Sequence, residues 1–328
     1  MKQKRTRPDA ASAPVPPVSP APRSLRDYVW LFPCLLALVA FSNSFSVGFP
    51  LDNRELILFD TRIRQLTLEN LQLILRHSYY WPNGEAGIYH PLTTFSYLVN
   101  YTIFGNGENP AGYHWINLLI HLTNVLLVYS LARRMGKYAL YIAGLWAVHP
   151  VLTEAVTNII GRSDLLAGTA VLGGLLCYLK SREGKMWLVG VALAAAAGTA
   201  SKESAVVLPG VIMLWEVAFG TWNGSPALQG VLACAVPVGL VLLQRAAVLA
   251  ASVPAEFPFI DNPITGADFV TGRLTALAVL GRYLKLAFFP LQLSADYAWS
   301  QIPLASGGDW PYWLAVGTAM ALTALACA

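Results

Sequence analysis

The sequence predicts an all-α polytopic membrane protein, and three observations carry this prediction. Of 328 residues, 55% are apolar and only 12% charged, with a mean hydropathy of +0.51. An ordinary soluble domain is ~25% charged. So little charge could not solvate a globule, which excludes soluble enzymes, nucleic-acid binders and disordered chains. Several stretches reach the ~20 mainly apolar residues that a helix needs to cross a bilayer. The ~10-residue alternating segments of a transmembrane barrel are absent.

Taken in order, residues 1–27 read as a disordered, basic, Pro-rich cytoplasmic tail. Within residues 1–26, Lys2, Lys4, Arg5, Arg7, Arg23 and Arg26 face Asp9 alone, so with a net charge of +4 the remainder is near neutral. The run PDAASAPVPPVSPAP (8–22) cannot build a core. The basic flank sets topology: it keeps the N-terminus cytoplasmic and makes 28–48 the first span. That apolar run is too long for a cleavable signal. Residues 49–111 form a long first outer loop, and long connections tend to be functional or disordered. Within it, 60–77 places Ile63, Leu66, Leu71, Ile74 and Leu75 near one face, which predicts a surface amphipathic helix. Leu92–Phe104 predicts a second, short helix. Spans follow near 112–132, 138–158, 163–180, 186–200, 203–219, 227–250, 270–289 and 310–328, so 28–328 is read as one transmembrane domain.

Arg133, Arg134 and Lys137 mark one cytoplasmic turn, and Lys180, Arg182 and Lys185 another. By parity the HPVLTEAVTNIIGRSD turn and the SKES turn (201–204) lie outside, facing the first loop. Arg282 and Lys285 argue against 270–289 as a simple span. Counting spans would put SADY (294–297) in the cytoplasm, and a re-entrant or surface helix would resolve the conflict. The chain stops at Ala328 in a still-apolar helix, as a truncated longer protein would. The cysteines (Cys34, Cys177, Cys234, Cys327) lie in apolar segments without CxxC spacing, so neither a metal site nor a disulfide framework is indicated.

Charged residues at membrane depth are costly and point to function by default. Asp52, Arg54 and Glu55 follow the first span directly, and a carboxylate at that boundary is placed to act as a general base on a hydroxyl. The plain alternative is a solvated loop start or a helix cap. His149, Glu154, Arg162 and Asp164 form a second cluster. Glu154 and Arg162, eight residues apart, could form a structural ion pair, and Asp164 could cap a helix. His149, Glu154 and Asp164 could also hold a divalent cation, although no spacing is diagnostic. Lys202 and Glu203 are either a snorkelling membrane-edge turn or an anion site. His90 shapes the loop or lines a pocket. The aromatics Trp81, Tyr89, Tyr97, Tyr101, Tyr113 and Trp115 read first as an interfacial belt. No P-loop, GxGxxG, GxSxG, HExxH or DxD motif is present, so nucleotide chemistry has no local support.

DNRELIL, YHPLTTFSYLVNYTIFG, GYHWINLLIHLTNVLLVY, LWAVHPVLTEAVTNIIGRSDLLAG, SKESAVVLPG and DNP…GRYLKLAFFPLQLSADYAWSQIP occur in that order. Together they resemble the membrane half of the transmembrane and tetratricopeptide-repeat (TMTC) O-mannosyltransferase family and its bacterial relatives. The resemblance runs from about Gly48 to the end, and HPVLTEAV…GRSDLL is its most specific block. Two departures stand out. Animal members usually carry a paired acidic motif where this chain has Asp52-Asn53, so only Asp52 carries over. No 34-residue period of helical repeats follows.

The resemblance implies a GT-C-type multi-span bundle with a structured first extracytoplasmic loop. It implies a glycosyltransferase moving a sugar, mannose by the family, from a polyprenyl-phosphate donor to a protein or peptide Ser/Thr with inversion. Asp52 would be the base, and Arg162, Lys202 and Arg282 would hold the lipid phosphate. Arg54, Glu55, His90, His149, Glu154, Asp164, Glu203, Asp296 and Tyr297 would support the pocket. No cofactor is required, and a divalent cation stays an open alternative. The other partner is the lipid bilayer. Nucleic acid is not a partner. The site would lie on the extracytoplasmic face of a bacterial inner membrane, or of the endoplasmic reticulum in a eukaryote. The rival reading is a transporter, flippase or non-catalytic scaffold, since intramembrane charges also suit transport. Matched Gly/Pro-broken halves, which transporters often show, are not evident.

Overall fold

The structure, a computed structural model, describes residues 28–50, 52–220, 224–254, 262–294, 297–298 and 301–326. The basic tail, Asp296 and Cys327 therefore lie outside the described residues. All regular structure among the described residues is helical, with no strand. In chain order the helices are α1 (Leu31–Ala40), α2 (Leu68–Arg76), α3 (Pro91–Leu98), α4 (Pro110–Met135), α5 (Ala139–Ala147), α6 (Thr153–Thr157), α7 (Arg162–Lys180), α8 (Trp187–Ser201), α9 (Leu208–Phe219), α10 (Gly224–Ala250), α11 (Phe269–Phe288) and α12 (Trp310–Ala326). Three helical stretches, Pro110–Met135, Ile159–Lys180 and Gly224–Ala250, are long and apolar enough to cross a membrane. A fourth counts if α5 and Pro150–Thr157 form one span bent by 47°. The chain is thus a multi-pass membrane protein, and the predicted all-α class holds.

Several predicted spans come out shorter, for local reasons. The 138–158 span breaks at His149, which sits extended (φ −64°, ψ 126°) before Pro150. A residue before proline is driven out of the helical region, and the proline itself has no N–H to continue the ladder. The first span reduces to α1 and the 3-10 turn Ser42–Ser46. The predicted amphipathic helix over 60–77 begins only at Leu68, with the Thr67 side chain capping the Asn70 N–H. Its first turn is replaced by a buried ion pair. Arg62 Nε and Nη2 grip Asp60, and the same guanidinium donates to the carbonyls of Ser78 (3.0 Å) and Tyr79 (2.8 Å).

The loop shares a core with the bundle: Leu56, Ile57, Ile63, Ile74, Tyr79, Tyr97 and Leu98 pack together with Tyr113 of α4 and Ile159 before α7. Fully burying one such side chain stabilises by ~1.5–3 kcal/mol, so the loop is a folded unit rather than a flexible connection. Tyr89, Tyr97 and Tyr113 are buried, so they do not form the interfacial belt that composition alone suggested.

In the bundle, α4 and α7 run parallel. Asn117 meets Ile159 at one end, Asn124 meets Leu165 midway, and Leu131 clusters with Leu175 and Leu179 beyond. Helix α8 returns along α7 through small residues. A Cβ on Gly198 would stand 2.7 Å from that of Ala170, and one on Gly174 would stand 3.2 Å from that of Ala194. Close approach through small residues is the usual way membrane helices gain dispersion contacts. From Arg162 to Lys180, helix α7 spans ~27 Å at 1.5 Å per residue, close to the ~30 Å hydrocarbon core of a bilayer. Each end of the bundle is polar, and the two ends differ.

Helices α11 and α12 pack on each other, with Trp313 Nε1 donating to the Leu274 carbonyl (3.0 Å). Helix α11 carries Arg273, Arg282 and Lys285 and is not among the stretches apolar enough to cross a membrane. Helix α10 reaches the loop side at its C-terminal end, where Gln244 and Arg245 donate to the carbonyls of Leu75 and Gly87. The C-terminal end of α11 reaches the same side, through His149 to the Ala287 carbonyl (3.1 Å). The chain therefore leaves and returns at one end between α10 and residue 287. Residues 291–294 sit beside the loop, not opposite it as span counting implied.

Candidate functional site

The loop and the two predicted outer turns meet at the end of the bundle where α4 and α7 begin. Asp52 is exposed, and its Oδ2 accepts a hydrogen bond from the Tyr80 hydroxyl (2.8 Å). Burial, and next the adjacent Asp52 carboxylate, push the Tyr80 phenol well above its usual range. It therefore stays a donor and orients Asp52. Asn53, its neighbour, is fully buried and accepts from the Ile160 N–H (3.0 Å), which ties the loop start to the turn before α7. Full burial disfavours a second carboxylate at this position, and the side-chain oxygen there serves the fold. Arg54 is exposed and Glu55 half-buried. The Glu55 carbonyl accepts from Asn83 (3.5 Å).

A histidine–carboxylate contact and an ion pair join the loop and α7 to the SKES turn. His90 Nε2 bonds Glu203 Oε2 (2.7 Å) from a nearly buried ring. This bond holds the Glu203 carboxyl down to about 2 against its burial. Lys202 Nζ donates to both Asp164 oxygens (2.7 and 2.8 Å). Thr93 Oγ1 donates to the Ser201 carbonyl (2.9 Å) and seats α3 against the end of α8.

Arg162 is fully buried. Its Nε donates to Asn117 Oδ1 (2.8 Å), Nη2 to the Tyr113 carbonyl (3.1 Å) and Nη1 to Ser96 (3.4 Å to the carbonyl). The guanidinium lies 4.8 Å over the Tyr97 ring. It makes no ion pair with Glu154, which is exposed. Arg162 thus binds α3, α4 and α7 together, and its donors face inward.

Two cavities border this end. One, of about 380 Å³, is lined by Val47, Pro50, Glu154, Asn158, Leu293 and Ser294 among others. It unites the start of the loop, the HPVLTEAV block and the segment after α11. The other, of about 410 Å³, is lined by Arg282, Lys285, Gln292, Tyr297 and Tyr312, with apolar residues of α11 around them. Arg282 Nη2 donates to Asp309 Oδ1 (3.1 Å), and its guanidinium sits 4.5 Å over the Tyr312 ring. Its Nη1 is buried without a partner, an unmet donor that costs free energy until an acceptor arrives. The stretch 291–294 lines both cavities, Leu291 and Gln292 facing one and Leu293 and Ser294 the other.

His149 is spent on structure, Nδ1 accepting from the Val151 N–H (3.3 Å) and Nε2 facing Ala287. Among the described residues no three His, Cys, Asp or Glu side chains gather closely enough to hold a metal, so His149, Glu154 and Asp164 do not converge. Sequence reasoning missed Tyr80, Asn117, Lys285 and Arg245 as parts of this region. Only Lys285 carried a signal, a second cation one helical turn from Arg282. The other three become visible only when distant segments meet.

The chain resembles curated proteins. It is 30% identical over 300 residues to the protein O-mannosyl-transferase Tmtc2 of Drosophila melanogaster, covering 86% of this chain and 31% of that protein. It is 31% identical over 254 residues to the protein O-mannosyl-transferase TMTC2 of Mus musculus, covering 70% and 30%. To the protein O-mannosyl-transferase TMTC4 of Homo sapiens it is 27% identical over 331 residues, covering 84% and 44%. No protein-family model matches, and no solved structure gives a significant match. The chain spans about a third of the length of the first two of these relatives. With the helical bundle, the multi-pass character and the extent of identity together, the chain is a distant homologue of the TMTC protein O-mannosyl-transferases over that third.

Proposed function

We propose that this protein is a GT-C-type glycosyltransferase that moves mannose from a polyprenyl-phosphate donor to a Ser or Thr hydroxyl of a protein, on the extracytoplasmic face of its membrane. The observation that carries the reading is Asp52, exposed at the rim of a folded loop with one oxygen held by Tyr80, in a chain homologous to protein O-mannosyl-transferases. The acceptor hydroxyl oxygen attacks the anomeric carbon while its proton passes to Asp52 Oδ1. The bond from that carbon to the phosphate oxygen breaks on the opposite face. Its electron pair leaves with the polyprenyl phosphate, and the anomeric centre inverts.

The departing phosphate needs positive charge. Arg282 with its unmet Nη1 donor, and Lys285 beside it, supply this within the 410 Å³ cavity. Lys202, already paired with Asp164, is a rim contributor. Arg162, one of the three phosphate candidates that the resemblance implied, is assigned a positioning role because its donors point into protein. The apolar surroundings of Arg282 suit an isoprenoid chain, and no nucleotide or metal site is required.

The test uses the full-length protein reconstituted in nanodiscs, with polyprenyl-phosphate mannose and an acceptor peptide. Asp52→Asn should remain folded and lose ~10²-fold or more of its transfer rate, the usual loss on removing a general base. Near wild-type turnover of Asp52→Asn would remove Asp52 from the chemistry. Transfer from a nucleotide sugar in the absence of lipid would overturn the donor assignment.

A further inference from the structure

The end of the bundle remote from Asp52 holds a second polar feature that the transfer reaction does not use. Helices α4 and α7 run parallel and finish there, and a cleft of about 400 Å³ opens between their last turns. It is lined by Ser130, Arg133, Arg134, Leu176 and Lys180. Three cations and a hydroxyl converge on it, and no carboxylate lines it. None of the three cations forms an ion pair within 4 Å among the described residues. The acid paired nearby, Glu216, is bound to Arg182, and Glu183 lies in the turn beyond Lys180 without lining the cleft.

Cations at helix C-termini are favoured by the dipole, and basic residues gather on cytoplasmic turns. Either effect is satisfied by cations that splay apart into water. Neither explains three that share one cleft, since their mutual repulsion costs free energy unless an anion joins them. The level of the cleft is also defined. Lys180 lies ~27 Å along α7 from Arg162, the thickness of a bilayer core, and its ammonium stands 4.5 Å over the Trp187 ring. Tryptophan and tyrosine favour headgroup depth, and Arg133 lies over Tyr129 at the same level. Leu176 supplies an apolar wall on the bilayer side of the charges.

We infer that this cleft binds the phosphodiester headgroup of an anionic phospholipid in the leaflet opposite the transferase site. The guanidinium groups of Arg133 and Arg134 and the ammonium of Lys180 bind the phosphate, and an acyl chain lies along Leu176. A membrane-depth cleft with an apolar wall fits a lipid better than a free anion, and basic clefts between helices on the cytoplasmic side are a recurring headgroup site.

The experiment measures binding of phosphatidylglycerol to the full-length protein by native mass spectrometry, with phosphatidylcholine as the neutral comparison. Phosphatidylglycerol should bind in preference. The triple variant Arg133→Gln, Arg134→Gln, Lys180→Gln should lose roughly 10²-fold in affinity, at about fivefold from each of the three charges. Lys137→Gln with Lys185→Gln, outside the cleft, should bind as wild type. Equal loss in both sets would mean diffuse attraction and overturn the site, as would unchanged binding in the triple variant. Displacement of the lipid by inorganic phosphate would overturn the lipid assignment. Should the triple variant fail to fold, Arg134→Gln alone, at an exposed position, decides the question by a loss of several-fold or none.

Discussion

Arg162 and Arg282 illustrate how two chemically identical side chains take different tasks from their surroundings. Arg162 has three protein partners and two aromatic rings around it and no exposure. A buried charge in such a network is costly to disturb, because lysine cannot reproduce the planar fork and leaves Asn117 and Tyr113 without their donors. Arg162→Lys should therefore lower the thermal midpoint markedly, by the ~1–3 kcal/mol expected for each buried group left unmet. It should leave donor KM little changed in the fraction that stays folded. Arg282→Gln should do the reverse, raising donor KM by ~10-fold or more for a lost charged hydrogen bond. Measuring melting temperature and donor KM on both variants separates the roles. A raised KM in Arg162→Lys at unchanged stability would return the phosphate to Arg162.

At the scale of elements, the folded loop is docked on the bundle by a few polar joints: Asn53 to Ile160, Thr93 to Ser201 and His90 to Glu203. The last joint is pH-sensitive. Folding holds the Glu203 carboxyl at about 2 instead of its ordinary 4.5. A depressed carboxyl stabilises the folded state fully above the unfolded value and ceases to do so as pH falls through the folded one. Loop docking should thus weaken between about pH 4.5 and 2, modestly, because Glu203 is nearly half exposed. Glu203→Gln should flatten that dependence. Limited proteolysis across 77–90 as a function of pH measures it, and identical acid sensitivity in the variant would show that the joint contributes nothing.

For the whole molecule, the two ends of α4 and α7 define two membrane edges of opposite character. Arg133, Arg134, Lys137, Lys180, Arg182 and Lys185 gather at one, and the loop with Asp164, Glu203 and Glu154 at the other. The positive-inside rule predicts that the basic end is cytoplasmic. Single cysteines at 85, 154 and 164 should react with an impermeant maleimide from outside in sealed cells, and those at 134 and 185 only after permeabilisation. Reaction of 134 from outside with protection of 154 would invert the molecule and move the proposed transfer site to the cytoplasmic face.

Composition and periodicity were enough to establish the class. An apolar fraction of 55% leaves no soluble solution, and the runs at 112–132, 163–180 and 227–250 each recur as a helix long enough to span. The turns that carry His149, Arg162 and Lys202 were placed together by charge parity, a property additive along the chain. The partners of those residues were not legible. Whether Arg162 faces a ligand or the interior depends on Asn117 and Ser96, which are 45 and 66 residues away in sequence. Asp60 and Arg62 pre-empt the first turn of a helix that periodicity drew over 60–77, because their pairing requires the carbonyls of Ser78 and Tyr79. The return of 291–294 to the loop side, which the cations at Arg282 and Lys285 hinted at, is seen only in the contact of His149 with the Ala287 carbonyl and in the cavity that Leu293 and Ser294 share with Val47 and Pro50. Burial energy and charge pattern accumulate locally and can be read residue by residue. A hydrogen-bond partner or a cavity wall arises only when distant segments meet, so tertiary structure alone selects among the candidates.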